Sequence, residues 1–136
     1  MRLPRIAVVA LVAVLAVGLI GGGFAAAAVK KFPTKVTINF VAADAYHADK
    51  FKGKVKSRKA LCRKKRKVTV FRVKSGPDVK YGTDLTNKKG KYVVTKGDAT
   101  HAKAGNYYAK AKKKVKHKNG NKIVCKKGKS PTITVP

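Results

Sequence analysis

Phe51-Lys52-Gly53-Lys54-Val55-Lys56 alternates strictly, with Phe51, Gly53 and Val55 on one side and three lysines on the other. A two-residue period is that of a half-buried β-strand, whose successive side chains leave opposite faces of the sheet. Downstream, Val68-Thr69-Val70-Phe71-Arg72-Val73 begins with the same alternation and changes phase at Phe71, as a bulge or a strand covered on both faces would. Tyr92-Val93-Val94-Thr95 is aromatic and β-branched, and Tyr107-Tyr108-Ala109-Lys110-Ala111-Lys112 puts Tyr107, Ala109 and Ala111 on a common face. Ile123, Cys125, Ile133 and Val135 continue the pattern toward the end of the chain, and Val36 to Phe40 reads as a first strand.

The breaks between these runs carry turn chemistry. Ser75-Gly76-Pro77-Asp78, Asn87-Lys88-Lys89-Gly90, Lys96-Gly97-Asp98 and Lys118-Asn119-Gly120-Asn121 contain the residues that tolerate or pre-set turn dihedrals. Asn119-Gly120 between two apolar-periodic runs is a hairpin signal. Ala42 to Lys50 reads as a loop or a single helical turn, and no segment has amphipathic helical periodicity. Seven or eight short strands with regular turns predict an all-β domain, a sandwich or a barrel.

Upstream, Met1–Ala28 has the three zones of an export signal: Arg2 and Arg5, an uncharged apolar run from Ile6 to Ile20, and a small-residue stretch ending in four alanines. The expected cut follows Ala28, leaving residues 29–136 as one secreted or cell-envelope domain. Retained, Ile6–Ala28 is long enough to anchor the chain in a bilayer. The leader holds two of the 34 Lys and Arg and none of the five acids, all Asp, so the domain carries nearly the whole formal charge of +29. Such an excess repels itself and draws anionic partners. Cys62 and Cys125 are the only cysteines, and an even pair behind an export signal reads as one disulfide. Two free thiols or a metal pair are the other readings, but neither Cys has a second Cys or His at zinc-like spacing.

Several of these segments fall in an order shared by a known class. Phe51-Lys52-Gly53-Lys54-Val55, Val68-Thr69-Val70, Gly82-Thr83-Asp84, Asn87-Lys88-Lys89-Gly90-Lys91-Tyr92 and Ala104-Gly105-Asn106-Tyr107-Tyr108-Ala109 resemble the G-x-V, V-x-V, T-D-x-x-G-x-Y and G-x-Y succession of carboxypeptidase-regulatory-like, or transthyretin-like, domains. The chain also looks like small lysine-rich exported proteins of high-GC Gram-positive bacteria with paired cysteines. The resemblance implies a seven-stranded Greek-key, immunoglobulin-like β-sandwich and no particular activity, since function is not carried by fold. One departure stands out: Thr83-Asp84 lies farther from Gly90 than the pattern asks. Either Asn87 takes the aspartate's place in the turn or the hairpin is longer.

No arrangement in the sequence points to an enzyme. There is no Glu, four of the Asp sit in loop-like stretches, and Ser57, Ser75 and Ser130 lack a nucleophile-elbow pattern. Asp44-Ala45-Tyr46-His47-Ala48-Asp49 is the one metal-like cluster, and a metal-dependent enzyme at that loop is the minor alternative. No catalytic, cofactor or metal residue is assigned.

The dense basic runs are the remaining signal: Arg63-Lys64-Lys65-Arg66-Lys67, Lys110–Lys118 and Lys126-Lys127-Gly128-Lys129. Arg63, Lys64, Lys65, Arg66, Lys67, Lys110, Lys112, Lys113, Lys114 and Lys116 are the expected contacts to anionic polymers such as wall polymer, acidic polysaccharide or anionic lipid headgroups, with extracellular nucleic acid as a non-specific partner. Lysine outnumbers arginine, which suits point-charge contacts rather than bidentate readout.

Overall fold

The computed structural model describes residue 23 and residues 26–96 and 101–136. The expected leader therefore lies almost wholly outside the described residues, as do Gly97 and Asp98 of one expected turn. Among the described residues no helix is long and apolar enough to cross a membrane.

The alternating hexapeptide forms the strand β4 (Lys50–Lys56). Phe51 and Val55 are fully buried and Lys52, Lys54 and Lys56 are exposed, as the period requires. Along one edge β4 pairs antiparallel with β7 (Lys91–Thr95), and along the other with two short strands, β2 (Lys35–Val36) and β3 (Asn39–Val41). The gap between β2 and β3 has a local cause. The Thr37 carbonyl and the Tyr92 hydroxyl, which donates to it at 2.6 Å, meet over Gly53. A Cβ at Gly53 would stand 2.0 Å from that carbonyl oxygen, so only glycine admits this approach. Thr37 Oγ1 in turn accepts from the Lys54 amide at 2.9 Å.

A second sheet is centred on β5 (Lys67–Arg72) and β8 (Gly105–Ala111), antiparallel neighbours. The strand β6 (Val79–Leu85) lies beyond β5, while β11 (Gly128–Lys129) and β12 (Ile133–Val135) share the far edge of β8. The phase change read at Phe71 is a register shift of β5 against β6 between Val70 and Phe71. A third, smaller sheet joins β9 (Lys114–Lys118) and β10 (Asn121–Cys125) through the expected Asn119-Gly120 turn, with φ of 50° and 71°. Positive φ at both central residues is what a tight hairpin demands. The strand β1 (Val29–Phe32) completes this sheet parallel to β10, a pairing that nothing local in the sequence indicates. Among the described residues twelve strand segments result, several of them short pieces sharing one edge, and Ala42–Asp49 carries no helical turn.

One apolar cluster draws on both larger sheets: Val36, Phe51, Val55, Tyr92 and Val94 from the first, and Val68, Val70, Tyr107, Ala109 and Val135 from the second. Within it the Phe51 ring lies 4.7 Å from the ring of Tyr107 and 4.9 Å from that of Tyr81. Ile133 packs partly buried against this cluster, and Val135, two residues on along the same face, is buried within it. A separate small cluster of Cys62, Ile123 and Cys125, with Phe32 and Leu61 against it, surrounds the Cys62–Cys125 disulfide.

Asn87 occupies the turn position that the sequence left open. Its Oδ1 accepts from the amides of Lys89 and Lys91 at 2.9 and 3.0 Å. Gly90, at φ +80°, closes the turn against β4, its carbonyl accepting from the Val55 amide at 2.8 Å. A Cβ there would meet the Val55 carbonyl oxygen at 2.4 Å. Asp84 instead joins two strands, since its Oδ2 accepts from the Val93 amide at 2.8 Å and so ties β6 to β7. Replacing Asn87 by Ala removes two hydrogen bonds of an exposed turn and is expected to lower stability by about 1 kcal/mol in denaturant titration. An unchanged midpoint would show that the backbone bonds alone hold this turn.

Candidate polyanion interface

The basic run ahead of β5 turns twice within a few residues. A 3-10 turn at Ala60–Cys62 is fixed by the disulfide, and Lys65 then adopts φ +50°, an uncommon value for a residue with a Cβ. Lys64 and Lys65 are thereby exposed, whereas Arg66 is turned inward and is 1% exposed. All five N–H bonds of its guanidinium are used within the protein. Nε and Nη2 donate to the Lys112 carbonyl at 3.1 and 2.6 Å, and Nη2 also donates to the Lys126 carbonyl at 2.9 Å. Nη1 donates to the Cys62 carbonyl at 2.8 Å and to Thr34 Oγ1 at 3.2 Å. Arg66 is therefore not available to an external anion, and the expectation that it contacts one is corrected. Its planar fork of donors makes it the residue able to collect three backbone carbonyls from separate loops.

Thr86, buried at the end of β6, holds the same loop from the other side. Its hydroxyl accepts from the Arg66 amide at 2.8 Å and donates to the Arg63 carbonyl. This places the Asn87–Gly90 turn next to Lys64 and Lys65. The strand β9 lies across from them: Lys114 and Lys116 pair with Cys125 and Ile123, so they share the face that looks toward the disulfide loop. Between these elements lies a cleft of about 780 Å³, lined by Lys64, Lys65, Lys88, Lys114, Lys116 and Lys118, together with His117 and uncharged Leu61, Thr86 and Asn87. Lys114 forms part of its wall. Its Nζ donates to the Leu61 and Lys64 carbonyls at 3.1 and 2.7 Å. Burial first, then the charges of Lys116, Arg66, Lys64 and Lys65, push the Lys114 ammonium down from its ordinary value. Like charges crowded to that degree mark a region of strong positive potential.

A second groove of about 540 Å³ is lined by Lys110, Lys112, Lys113, Lys127 and Lys129 with Ala111 and Gly128. Two of its lysines rest on aromatic faces: Lys129 Nζ is 4.0 Å from the Tyr108 ring centroid, and Lys110 Nζ is 5.5 Å from those of Phe71 and Tyr108. The Tyr108 hydroxyl donates to Asp78 Oδ2 at 2.6 Å, and this bond pushes the phenol up to about 12.

The structure thus gathers Lys64, Lys65, Lys114 and Lys116 in one cleft and Lys110, Lys112 and Lys113 in the other groove. Lys67 is exposed at the start of β5 and Arg63 is half-buried, and neither lines a groove. Lys88, Lys118, Lys127 and Lys129 were not assigned from sequence. Three of them belong to basic runs visible there, but Lys88 sits in a turn whose position beside Lys64 follows only from the Thr86 hydrogen bonds.

Asp78 lies beside the second groove, where the Tyr108 hydrogen bond first, and more weakly the charges of Lys129 and Lys110, hold its carboxyl below the usual range. The acids of the metal-like loop are engaged elsewhere. Asp44 accepts from His47 Nδ1 at 2.8 Å on the surface, while Asp49 is buried and accepts from the amides of Ala43 and Ala102. The two carboxylates of the metal-like loop therefore take separate partners. Among the described residues no three His, Cys, Asp or Glu side chains converge.

Fold and site together define an all-β, disulfide-bonded domain with two adjoining lysine-lined grooves. Comparison with protein families, with characterised proteins and with solved structures finds no match to this chain.

Proposed function

We propose that residues 29–136 form an exported, non-enzymatic Greek-key sandwich of the transthyretin-like kind, which holds anionic polymers of the cell envelope through its lysine-lined grooves. The observation that carries this reading is the cleft in which Lys64, Lys65 and Lys88 face Lys114, Lys116 and Lys118. Surface lysines spread at random are ordinary solvated groups. Six of them along one concavity, with no acid among the residues that line it, form a counter-surface for a polyanion.

Lysine-to-phosphate or lysine-to-carboxylate contacts release counterions, so affinity falls steeply as salt rises. Binding of purified wall polymer, anionic vesicles and DNA, measured over a range of salt concentrations, tests the reading. Replacing Lys64, Lys65 and Lys88 together by Gln should weaken all three ligands and lower the slope of log affinity against log salt by about 2. Absence of binding at low salt, or affinity indifferent to salt, would overturn the proposal.

A further inference from the structure

The linings of the two grooves run on from one another in the chain: Lys110 to Lys113 belong to one, and Lys114 and Lys116 to Lys118 to the other. They meet at the corner Lys112-Lys113, between the end of β8 and the start of β9. That corner is fixed from below. The Arg66 guanidinium binds the Lys112 carbonyl at the corner, the Lys126 carbonyl beside the second groove and the Cys62 carbonyl behind the cleft. The junction accordingly combines a rigid backbone with a buried positive charge whose hydrogen bonds all go to neutral oxygens.

From these observations, and resting on the polyanion reading above, we infer that the two grooves form one track for a single unbranched phosphodiester chain that crosses the Lys112-Lys113 corner. Same-face lysines on β9 recur at about 6.8 Å, twice the rise of a strand. That interval suits a polymer carrying one charge for every six backbone bonds, as phosphodiester chains with a three-carbon bridge do. From Lys110 to Lys118 the track extends at most about 26 Å at strand rise, or about four such repeats. Two chemical sources share this backbone, a nucleic-acid strand and a polyol phosphate. Among the described residues no Phe, Tyr or Trp lines either groove, and the Tyr108 ring beside the second is covered by Lys129, so nothing there stacks a base and the contacts are to the backbone.

Calorimetric titration of the full protein with oligothymidylates and with base-free propanediol-phosphate oligomers of graded length, at low salt, tests the inference. Chains of about two repeats should bind twice per domain, and chains longer than about four repeats once, with affinity levelling off beyond that length. Replacing Lys64, Lys65 and Lys88 by Gln, or separately Lys127 and Lys129 by Gln, should each lower long-chain affinity by about 100-fold, because each abolishes the intramolecular second contact. Two long chains per domain, or a loss of only about twofold in either variant, would mean independent grooves and would overturn the single track while leaving the polyanion reading standing. Binding of the oligothymidylate without the base-free oligomer would overturn the backbone assignment. No binding of either ligand, alongside retained binding of wall polymer or vesicles, would overturn the phosphodiester class alone; no binding of any polyanion removes the broader reading with it.

Discussion

Replacing both Cys62 and Cys125 by Ser is expected to lower the free energy of unfolding by about 4 kcal/mol, measured by denaturant titration against the oxidised parent. The bridge closes a loop of 63 residues, and releasing that constraint enlarges the unfolded ensemble. The effect is large relative to the total stability of a small domain. It is not only a matter of chain entropy. The disulfide holds the Ala60–Cys62 turn against β10, and the small cluster of Ile123, Phe32 and Leu61 is built around it. The fold of the two larger sheets has a separate core, so the variant should retain β-type circular dichroism in the absence of denaturant. A loss below about 1 kcal/mol would show that the third sheet is held by its own pairing and that the bridge is dispensable.

Replacing Arg66 by Met is expected to cost more than about 3 kcal/mol, and replacing it by Lys to recover little of that. The Met variant keeps the apolar stem but leaves the carbonyls of Cys62, Lys112 and Lys126 without the donors they now have. Each buried acceptor left unpaired costs about 1–3 kcal/mol. A lysine has the charge but three rotating donors at one point in place of a planar fork, so it cannot reach the same set at once. Burial holds the Arg66 guanidinium below its ordinary value, yet an arginine stays protonated throughout the accessible range, so this stabilisation should not vary with pH between about 5 and 9. Thermal melts of both variants check the order. If the Lys variant matched the parent, one charge rather than the fork geometry would be what the loops require.

Arg66 also shows where sequence reading of the site ends. Within Arg63-Lys64-Lys65-Arg66-Lys67 nothing local separates the residue that faces inward from those that face solvent. The run is not itself a strand, so no two-residue period sorts it. The distinction is made by the positive φ at Lys65, by the Thr86 hydroxyl on the Arg66 amide, and by three carbonyls from distant parts of the chain. Lys64, Lys65, Lys114 and Lys116 were legible as basic, but their meeting in one cleft depends on how β9 is set against the disulfide loop. Lys88 entered the cleft from a turn that sequence identifies only as a turn.

What the amino-acid order determined alone were features that depend on near neighbours. The burial of Phe51 and Val55 with the lysines between them exposed, the irregularity at Phe71, the Asn119-Gly120 hairpin and the all-β character follow from side-chain period and turn dihedrals. The Cys62–Cys125 bridge followed from there being a single pair. Tertiary structure decided what depends on groups far apart in the chain. It set β1 parallel to β10, covered Val135 more fully than Ile133 on the core-facing side they share, and turned Arg66 into an internal clamp. The physical reason is common to all three. A strand's period says which side chains share a face, but only the hydrogen-bonding and packing partners supplied by the rest of the chain say which face is covered, and by what.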